Sequence, residues 1–154
     1  MDLILWRHAE AQDAAELVIE DEQRALTPRG EKQASRMAAW LDRQLPEGVR
    51  VLCSPAVRTE QTAQALDRKY KLRAELLPDG SVQDLLDLVQ WPVSRVPVLV
   101  VGHQPTLGRA VAQLLKLSEP ECSVRKGSVW WLRHRMRGDE PQIVLLTVQT
   151  PELL

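Results

Sequence analysis

The sequence predicts an α/β fold: a three-layer sandwich with a mostly parallel central sheet and helices on both of its faces. Two observations support this prediction. Short β-prone runs alternate with stretches of helical periodicity, as in proteins whose parallel strands are joined by helices. The C-terminal section instead has two apolar runs around Gly138 and Asp139, which predicts a β-hairpin that closes one edge of the sheet.

Three compact runs of apolar residues predict the parallel strands. They are LILW (3–6), VRVLC (49–53) and VPVLVV (96–101). Three stripes of apolar residues, spaced at intervals of three or four, predict helices that pack on the sheet. The stripes are Ala34, Met37, Ala38, Leu41 and Leu45; Val82, Leu85, Leu86 and Val89; and Leu107, Ala110, Val111, Leu114 and Leu115.

The segments between these elements carry helix-start and loop signals. Thr27-Pro28, Ser54-Pro55 and Pro105 predict helix starts, with Thr27 and Ser54 as capping residues. Residues 11–25 have weak periodicity and several acids, so they predict a surface loop that could act as a flap over a site. In the hairpin region His134 is expected at the surface. The basic residues around it could meet an acidic partner; they are Arg125, Lys126, Arg133, Arg135 and Arg137.

Composition sets limits on the domain count and on the partners. A chain of 154 residues that is 44% hydrophobic predicts one domain spanning residues 1–154. Its 20 basic and 21 acidic residues nearly balance, which excludes a general attraction to nucleic acid or anionic lipid. The first apolar run is too short for a signal peptide or a membrane span. Cys53 and Cys122 lack metal-type spacing, so thiols in a reducing cytoplasm are expected.

The candidate functional residues follow the three predicted parallel strands. Arg7 and His8 follow the first strand, Arg58 opens the segment after the second, and His103 follows the third. Because the carboxyl ends of parallel strands share one sheet edge, these side chains should converge in the crevice outside it. Two guanidiniums and two helix N-termini favour an anion, and their bidentate geometry suits a tetrahedral phosphoryl group.

The chemistry that remains for such a pocket is attack by a side chain of the protein. The sequence has neither a phosphate-binding G-x-x-x-x-G-K-[ST] loop nor a cluster of acids of the DxD type. Nearby cations should keep His8 neutral and able to attack phosphorus, while His103 stabilises oxygens that gain charge. A zinc site using His8 and His103 is the alternative, but no Cys/His spacing supports it.

Four motifs together resemble the histidine phosphatase superfamily, specifically its small branch of SixA-type phosphohistidine phosphatases. They are WRHAEA, LTPRG, SPAVRTEQTA and VVGHQP, in that order along nearly the whole chain. The resemblance implies that His8 is phosphorylated and then hydrolysed. It also implies that Arg7, Arg58 and His103 form the phosphate pocket, and that the reaction needs no cofactor.

Two departures from the family pattern bear on function. The family usually has glycine after the Arg-His pair, whereas this chain has Ala9; the residue is still small, so function should survive. Larger members carry an acid in an extra segment to protonate the leaving group, and this chain has no room for that insertion. Asp79 is the best substitute, and Glu10 and Asp13 are weaker candidates.

These residues predict a metal-independent phosphatase that acts on phosphohistidine in proteins, such as a phosphotransfer domain, and releases inorganic phosphate. A chain without a large cap should have a shallow pocket, which favours a side chain presented by another protein. Two alternatives stay open. One is a phosphatase of the same superfamily that acts on small phosphomonoesters, and the other is a phospho-residue binding module without catalysis.

Overall fold

The computed structural model describes residues 1–13 and 19–154. Within these ranges the chain forms six strands and four α-helices. The strands are β1 (Asp2–Arg7), β2 (Arg50–Cys53), β3 (Lys71–Leu72), β4 (Val98–Gly102), β5 (Val129–Arg137) and β6 (Glu140–Gln149). The helices are α1 (Pro28–Gln44), α2 (Val57–Gln64), α3 (Val82–Leu88) and α4 (Thr106–Leu114). A single 3-10 turn at Asp21–Gln23 precedes α1.

The strands form one sheet in the order β3-β2-β4-β1-β5-β6. The first four in this order are parallel, whereas β5 pairs antiparallel with both β1 and β6. The predicted hairpin is confirmed, with its turn at Gly138 and Asp139, and it forms one edge of the sheet. The sequence did not indicate β3, because a two-residue strand with exposed side chains has no apolar pattern.

Helices cover both faces of the sheet, as predicted. Side chains alternate along β1, so Leu3 and Leu5 join a core with α3 and α4, while Ile4 and Trp6 join a second core with α1 and α2. All four of these β1 side chains are fully buried. The central sheet is therefore packed on both faces, which fixes the positions of the strand ends.

The structure confirms the predicted helix cap at Thr27 but not the predictions for Ser54 and His134. The Thr27 side chain accepts a hydrogen bond from the Gly30 amide and caps α1, as expected. Ser54 is not a helix cap: α2 begins at Val57, and the hydroxyl of Ser54 lies 2.8 Å from Nε2 of His103 instead. His134 is half-buried rather than exposed, because its ring packs edge-on against Trp91.

The predicted loop over residues 11–25 lies partly outside the described residues, which exclude 14–18. On either side of that gap, Ala11 forms an isolated antiparallel bridge with Leu26. The exposed turn at Asp21–Gln23 then brings Asp21 onto Arg58. Across 1–13 and 19–154, no helix is long and apolar enough to span a bilayer.

Candidate active site

The register of three adjacent strands brings the predicted residues to one place. Arg7 pairs with Gly102 across β1 and β4, and the His8 amide donates to the Gly102 carbonyl at 3.2 Å. On the other side of β4, the Ser54 amide donates to the Val101 carbonyl at 3.1 Å. Since β2, β4 and β1 are neighbours, the residues that follow them lie side by side at the carboxyl edge of the sheet.

The His8 ring is held in one tautomer by its hydrogen bond. Only 6% of His8 is exposed, and Nδ1 lies 2.7 Å from the carbonyl oxygen of Ala9. A carbonyl oxygen only accepts, so Nδ1 carries the proton. In the neutral ring Nε2 therefore keeps its lone pair, and a histidine that acts as a nucleophile attacks through such a lone pair.

The surroundings of His8 also keep it neutral. Burial is the largest cause, and together with the charges of Arg58 and Arg7 it lowers the pKa of His8 to about 3. The cations near His8 were predictable from the sequence, whereas its burial depends on the packed fold. At neutral pH the imidazole is thus a free base beside two guanidiniums.

His103 lies against His8 and is similarly buried, with 2% exposed and the two ring centroids 5.3 Å apart. Burial, followed by the proximity of His8 and Arg58, lowers the pKa of His103 to about 3. Its Nε2 lies 2.8 Å from the Ser54 hydroxyl. That hydroxyl accepts from the Ala56 amide and can at the same time donate its proton to Nε2; in that tautomer Nδ1 of His103 carries the ring proton.

The two arginines are oriented by different parts of the chain. Arg7 donates to the Val124 carbonyl at 2.9 Å. Arg58 is 3% exposed and donates to the Asp21 carbonyl at 2.8 Å and to its carboxylate at 3.1 Å. Burial lowers the pKa of both arginines, but a guanidinium stays charged at neutral pH.

Three donors of this cluster are buried and lack a hydrogen-bond partner within the described residues: Nε of Arg7, Nε of Arg58 and Nδ1 of His103. Buried donors are nearly always satisfied in folded proteins. Three orphaned donors on residues that follow adjacent strands therefore favour a site for an oxyanion at this edge of the sheet.

The contact between Asp21 and Arg58 was not evident from the sequence. Burial opposes the ionisation of Asp21, but Arg58 and Arg24 outweigh burial and hold the pKa of Asp21 below its ordinary value. The carboxylate thus holds one edge of the Arg58 guanidinium and leaves Nε without a partner in the described residues. The two residues are 37 positions apart, in a region without periodicity, so no local signal pairs them.

Ala9 suits its position without the freedom of glycine. Its φ is not in the left-handed region, and its side chain is fully buried against Leu26 and Ala34. Its amide donates to the Thr62 hydroxyl at 3.1 Å, and its carbonyl holds His8. The Ala9 methyl group therefore packs in a small apolar cluster, while the Ala9 backbone holds His8 and contacts Thr62.

The three acids weighed as proton donors lie outside the cluster of buried donors. Asp79 is exposed in a turn before Gly80 and lines a cavity with Glu20, Asp21 and Glu22. Glu10 accepts a hydrogen bond from the Thr27 hydroxyl at 3.0 Å. Asp13 is exposed. Of the three, Asp79 shares a cavity with the turn that contacts Arg58.

In residues 1–13 and 19–154 there is no cluster of three or more His, Cys, Asp or Glu side chains arranged to hold a metal ion. His8 and His103 share their surroundings with Arg7 and Arg58, and fixed positive charges oppose a cation at that position.

Comparison with known proteins identifies the family. A model described as the histidine phosphatase superfamily (branch 1) matches residues 3–79. This chain belongs to the histidine phosphatase superfamily. The match includes Arg7, His8 and Arg58, while His103 lies beyond it. The sheet described above is thus the mixed α/β fold of histidine phosphatases.

Relatives within the histidine phosphatase superfamily agree on the kind of enzyme. The phosphohistidine phosphatase SixA of Escherichia coli K12 is 35% identical over 123 residues, covering 74% of each chain. A SixA homolog of Haemophilus influenzae is 30% identical, covering 78% of this chain and 80% of its own. The solved structure of the protein histidine phosphatase SixA complexed with tungstate superposes with a TM-score of 0.75 at 27% identity, over 99% of both chains. The chain is therefore a phosphatase of this superfamily.

Proposed function

We propose that this phosphatase removes the phosphoryl group from phosphohistidine in proteins, through a covalent intermediate on His8 and without a metal ion. The observation that carries the proposal is the His8 tautomer. Nδ1 is bound to the Ala9 carbonyl at 2.7 Å, which leaves the Nε2 lone pair free in a pocket with orphaned donors. A neutral nucleophile beside an oxyanion site is what attack on phosphorus requires.

In the first step, Nε2 of His8 forms a bond to phosphorus as the bond from phosphorus to the substrate imidazole breaks. The substrate ring takes a proton from solvent on its other nitrogen and therefore leaves as neutral imidazole. Nε of Arg7 and of Arg58 would hold the equatorial oxygens, and Nδ1 of His103 would donate where charge develops. The Ala9 carbonyl stabilises the positive charge that the His8 ring gains.

In the second step, a water oxygen bonds to phosphorus and the bond from phosphorus to Nε2 breaks. The water loses a proton to solvent, and inorganic phosphate leaves with His8 again neutral. Because burial and the arginines hold the pKa of His8 at about 3, the regenerated ring does not trap a proton at neutral pH.

The leaving group explains why phosphohistidine suits this site. An alkoxide needs a proton donor to depart. An imidazole ring takes up a proton from solvent with a pKa near 6.5, so the ring of phosphohistidine can depart as neutral imidazole without a strong enzymic acid. Asp79 is exposed and in a turn, which fits an assisting role at most. The proposal therefore expects N–P bonds and activated aryl phosphates to react far faster than alkyl phosphomonoesters.

A protein substrate is favoured over a small metabolite. The relatives above are named for phosphohistidine and for protein histidine phosphatase. The phosphotransfer domain of a signalling protein is the type of partner that presents such a residue. We further propose that residues 1–154 act as one domain in the cytoplasm, which is consistent with the unpaired thiols of Cys53 and Cys122.

A substrate panel tests this proposal. The panel comprises a phosphohistidine protein, a phosphoserine peptide, a small alkyl phosphate and p-nitrophenyl phosphate, each assayed with and without EDTA and with His8→Ala as the control. The proposal predicts the highest kcat/KM for phosphohistidine and unchanged rates in EDTA. Equal kcat/KM for phosphoserine would favour the small-molecule phosphatase. Loss of activity in EDTA that zinc restores would favour the metal site, and binding without turnover would favour a binding module.

A further inference from the structure

We infer that a basic tract beside the phosphate pocket is the docking surface for an acidic face of the phosphohistidine protein. We define the basic tract as the exposed cations Arg29, Lys32 and Arg36 of α1 together with Arg125 and Lys126. The inference rests on the proposed function, because it takes phosphohistidine as the group that the docked partner presents.

The tract begins next to Arg7, one of the residues proposed to hold the phosphate. Arg7 lines a cavity of about 440 Å³ together with Arg29, Arg125 and Lys126. Two carboxylates, Glu10 and Glu152, lie in the same cavity, and the Glu10 carboxylate is already bound by the Thr27 hydroxyl. The cations in this cavity outnumber the carboxylates, so a partner whose phosphate reaches Arg7 meets positive charge next to it.

The tract then continues along the surface of α1. A second cavity shares Arg29 with the first and is also lined by Lys32 and Arg36. Residues 29, 32 and 36 are spaced by three and four, so they lie on one helix face. The helix rises about 1.5 Å per residue, which places Arg36 about 10 Å beyond Arg29. A phosphoryl group is much smaller than that span, so only a larger ligand reaches the whole tract.

None of these five cations is neutralised from within the described part of the chain. Among residues 1–13 and 19–154, no ion pair or side-chain hydrogen bond is formed by Arg29, Lys32, Arg36, Arg125 or Lys126, although Arg24, Arg68 and Arg133 are each paired with an aspartate. Exposed cations without a carboxylate partner keep their charge available to a binding partner.

The opposite side of the pocket has the opposite charge. There the turn that contacts Arg58 lines a cavity with Glu20, Asp21, Glu22 and Asp79, and none of the lining residues in the described part of the chain is basic. A docked partner would therefore be oriented by charge, with its acidic side toward the basic tract. The chain as a whole carries a net charge of −1, so this attraction comes from local placement and not from overall charge.

Synthetic phosphohistidine peptides provide the probe. Two peptides carry a run of glutamates on the N-terminal or the C-terminal side of the phosphohistidine, and each has a matched peptide with glutamines. We expect at least one glutamate peptide to exceed its glutamine match by about fivefold or more in kcat/KM at low salt. Raising the ionic strength from about 0.01 M to about 0.1 M shortens the Debye length from about 30 Å to about 10 Å and should reduce this preference.

Two variants remove the tract from independent parts of the backbone. Arg125→Glu/Lys126→Glu and Arg29→Glu/Arg36→Glu should each reduce the preference for glutamate to about twofold or less. The control is Arg135→Glu/Arg137→Glu, which changes net charge equally on the exposed end of the hairpin and should keep the preference. Equal rates on glutamate and glutamine peptides in the unmodified enzyme, or the same loss in the control, would overturn the inference.

A binding measurement separates this inference from the proposed function. Fluorescence anisotropy of the unphosphorylated glutamate and glutamine peptides reports docking without catalysis. A glutamate preference that the two tract variants abolish supports the docking surface even if no phosphohistidine peptide is hydrolysed, and in that case the proposed function fails alone. Hydrolysis of phosphohistidine with no glutamate preference in rate or affinity removes the docking surface and leaves the proposed function standing.

Discussion

The two strand ends that carry histidine differ in which ring nitrogen is held. At the end of β1, Nδ1 of His8 is bound to a carbonyl oxygen at 2.7 Å; after β4, Nε2 of His103 is bound to the Ser54 hydroxyl at 2.8 Å. Both rings are buried, and burial lowers the pKa of each to about 3. Burial and charge therefore do not distinguish the two histidines, whereas their hydrogen-bond partners do.

The partner decides what each ring can do. A carbonyl can only accept, which forces the proton of His8 onto Nδ1 and leaves Nε2 as a nucleophile. A hydroxyl can donate, which lets His103 present Nδ1–H as a donor in the pocket. The comparison predicts different consequences when each histidine is removed, although their positions in the sheet are similar.

The largest expected effect is from His8→Ala. Removal of the nucleophile should lower kcat for phosphohistidine by about 10⁴-fold or more, since a lost nucleophile is not replaced by the remaining groups. Steady-state rates of the purified variant measure this loss, with circular dichroism to confirm folding. Activity near that of the unmodified enzyme would contradict the assigned role of His8.

His103→Ala should have a smaller effect. Loss of one preorganised donor to transition-state charge costs roughly 10²–10³ in kcat, or about 2.7 to 4 kcal/mol. The affinity for vanadate should change less than kcat, because the hydrogen bond from His103 strengthens as negative charge develops on the phosphoryl oxygens in the transition state. If His103→Ala were as inactive as His8→Ala, the two rings would not have the distinct roles assigned to them.

Acid stability probes the neutral state of both rings. The folded pKa of each histidine is about 3, below the ordinary value of 6.5, so between these values the unfolded chain binds more protons. The free energy of unfolding should therefore fall as pH decreases through this window, by about 1 kcal/mol per pH unit for each histidine. Urea unfolding at several pH values between about 7 and about 5 measures the slope.

The control for that slope is the double variant His8→Asn/His103→Asn, which lacks both titrating groups. It should lose most of the pH dependence above about pH 5, where carboxylates remain ionised in both states. Parallel slopes for the variant and the unmodified protein would show that neither histidine is buried in the neutral form.

Ser54→Ala should have the smallest effect of the series. The hydroxyl contacts the His103 ring, and the proposed phosphate contacts come from Arg7, Arg58 and His103, so loss of the hydroxyl should lower kcat by about tenfold or less. Ser54→Thr retains a hydroxyl and is the matched variant that should recover part of the rate. An effect of Ser54→Ala equal to that of His103→Ala would instead give the serine a direct part in the reaction.

The comparison also indicates which features a sequence can reveal. The positions of Arg7, His8 and His103 follow from apolar runs and from the rule that parallel strands end at one edge, so they were predictable. The contact between Ser54 and His103 joins residues 49 positions apart, and its serine resembled an ordinary cap beside a proline. Side-chain pairing across the sheet depends on register, which apolar patterning alone does not determine.

The most direct test of the central claim is to locate the phosphoryl group on the enzyme during turnover. A rapid alkaline quench of the first turnover with ³²P-labelled phosphohistidine substrate, followed by peptide mapping, identifies the modified residue. The account predicts label on His8 in the unmodified enzyme and in His103→Ala, and no label in His8→Ala. Label on His103, or turnover with no labelled residue in the first turnover, would contradict it.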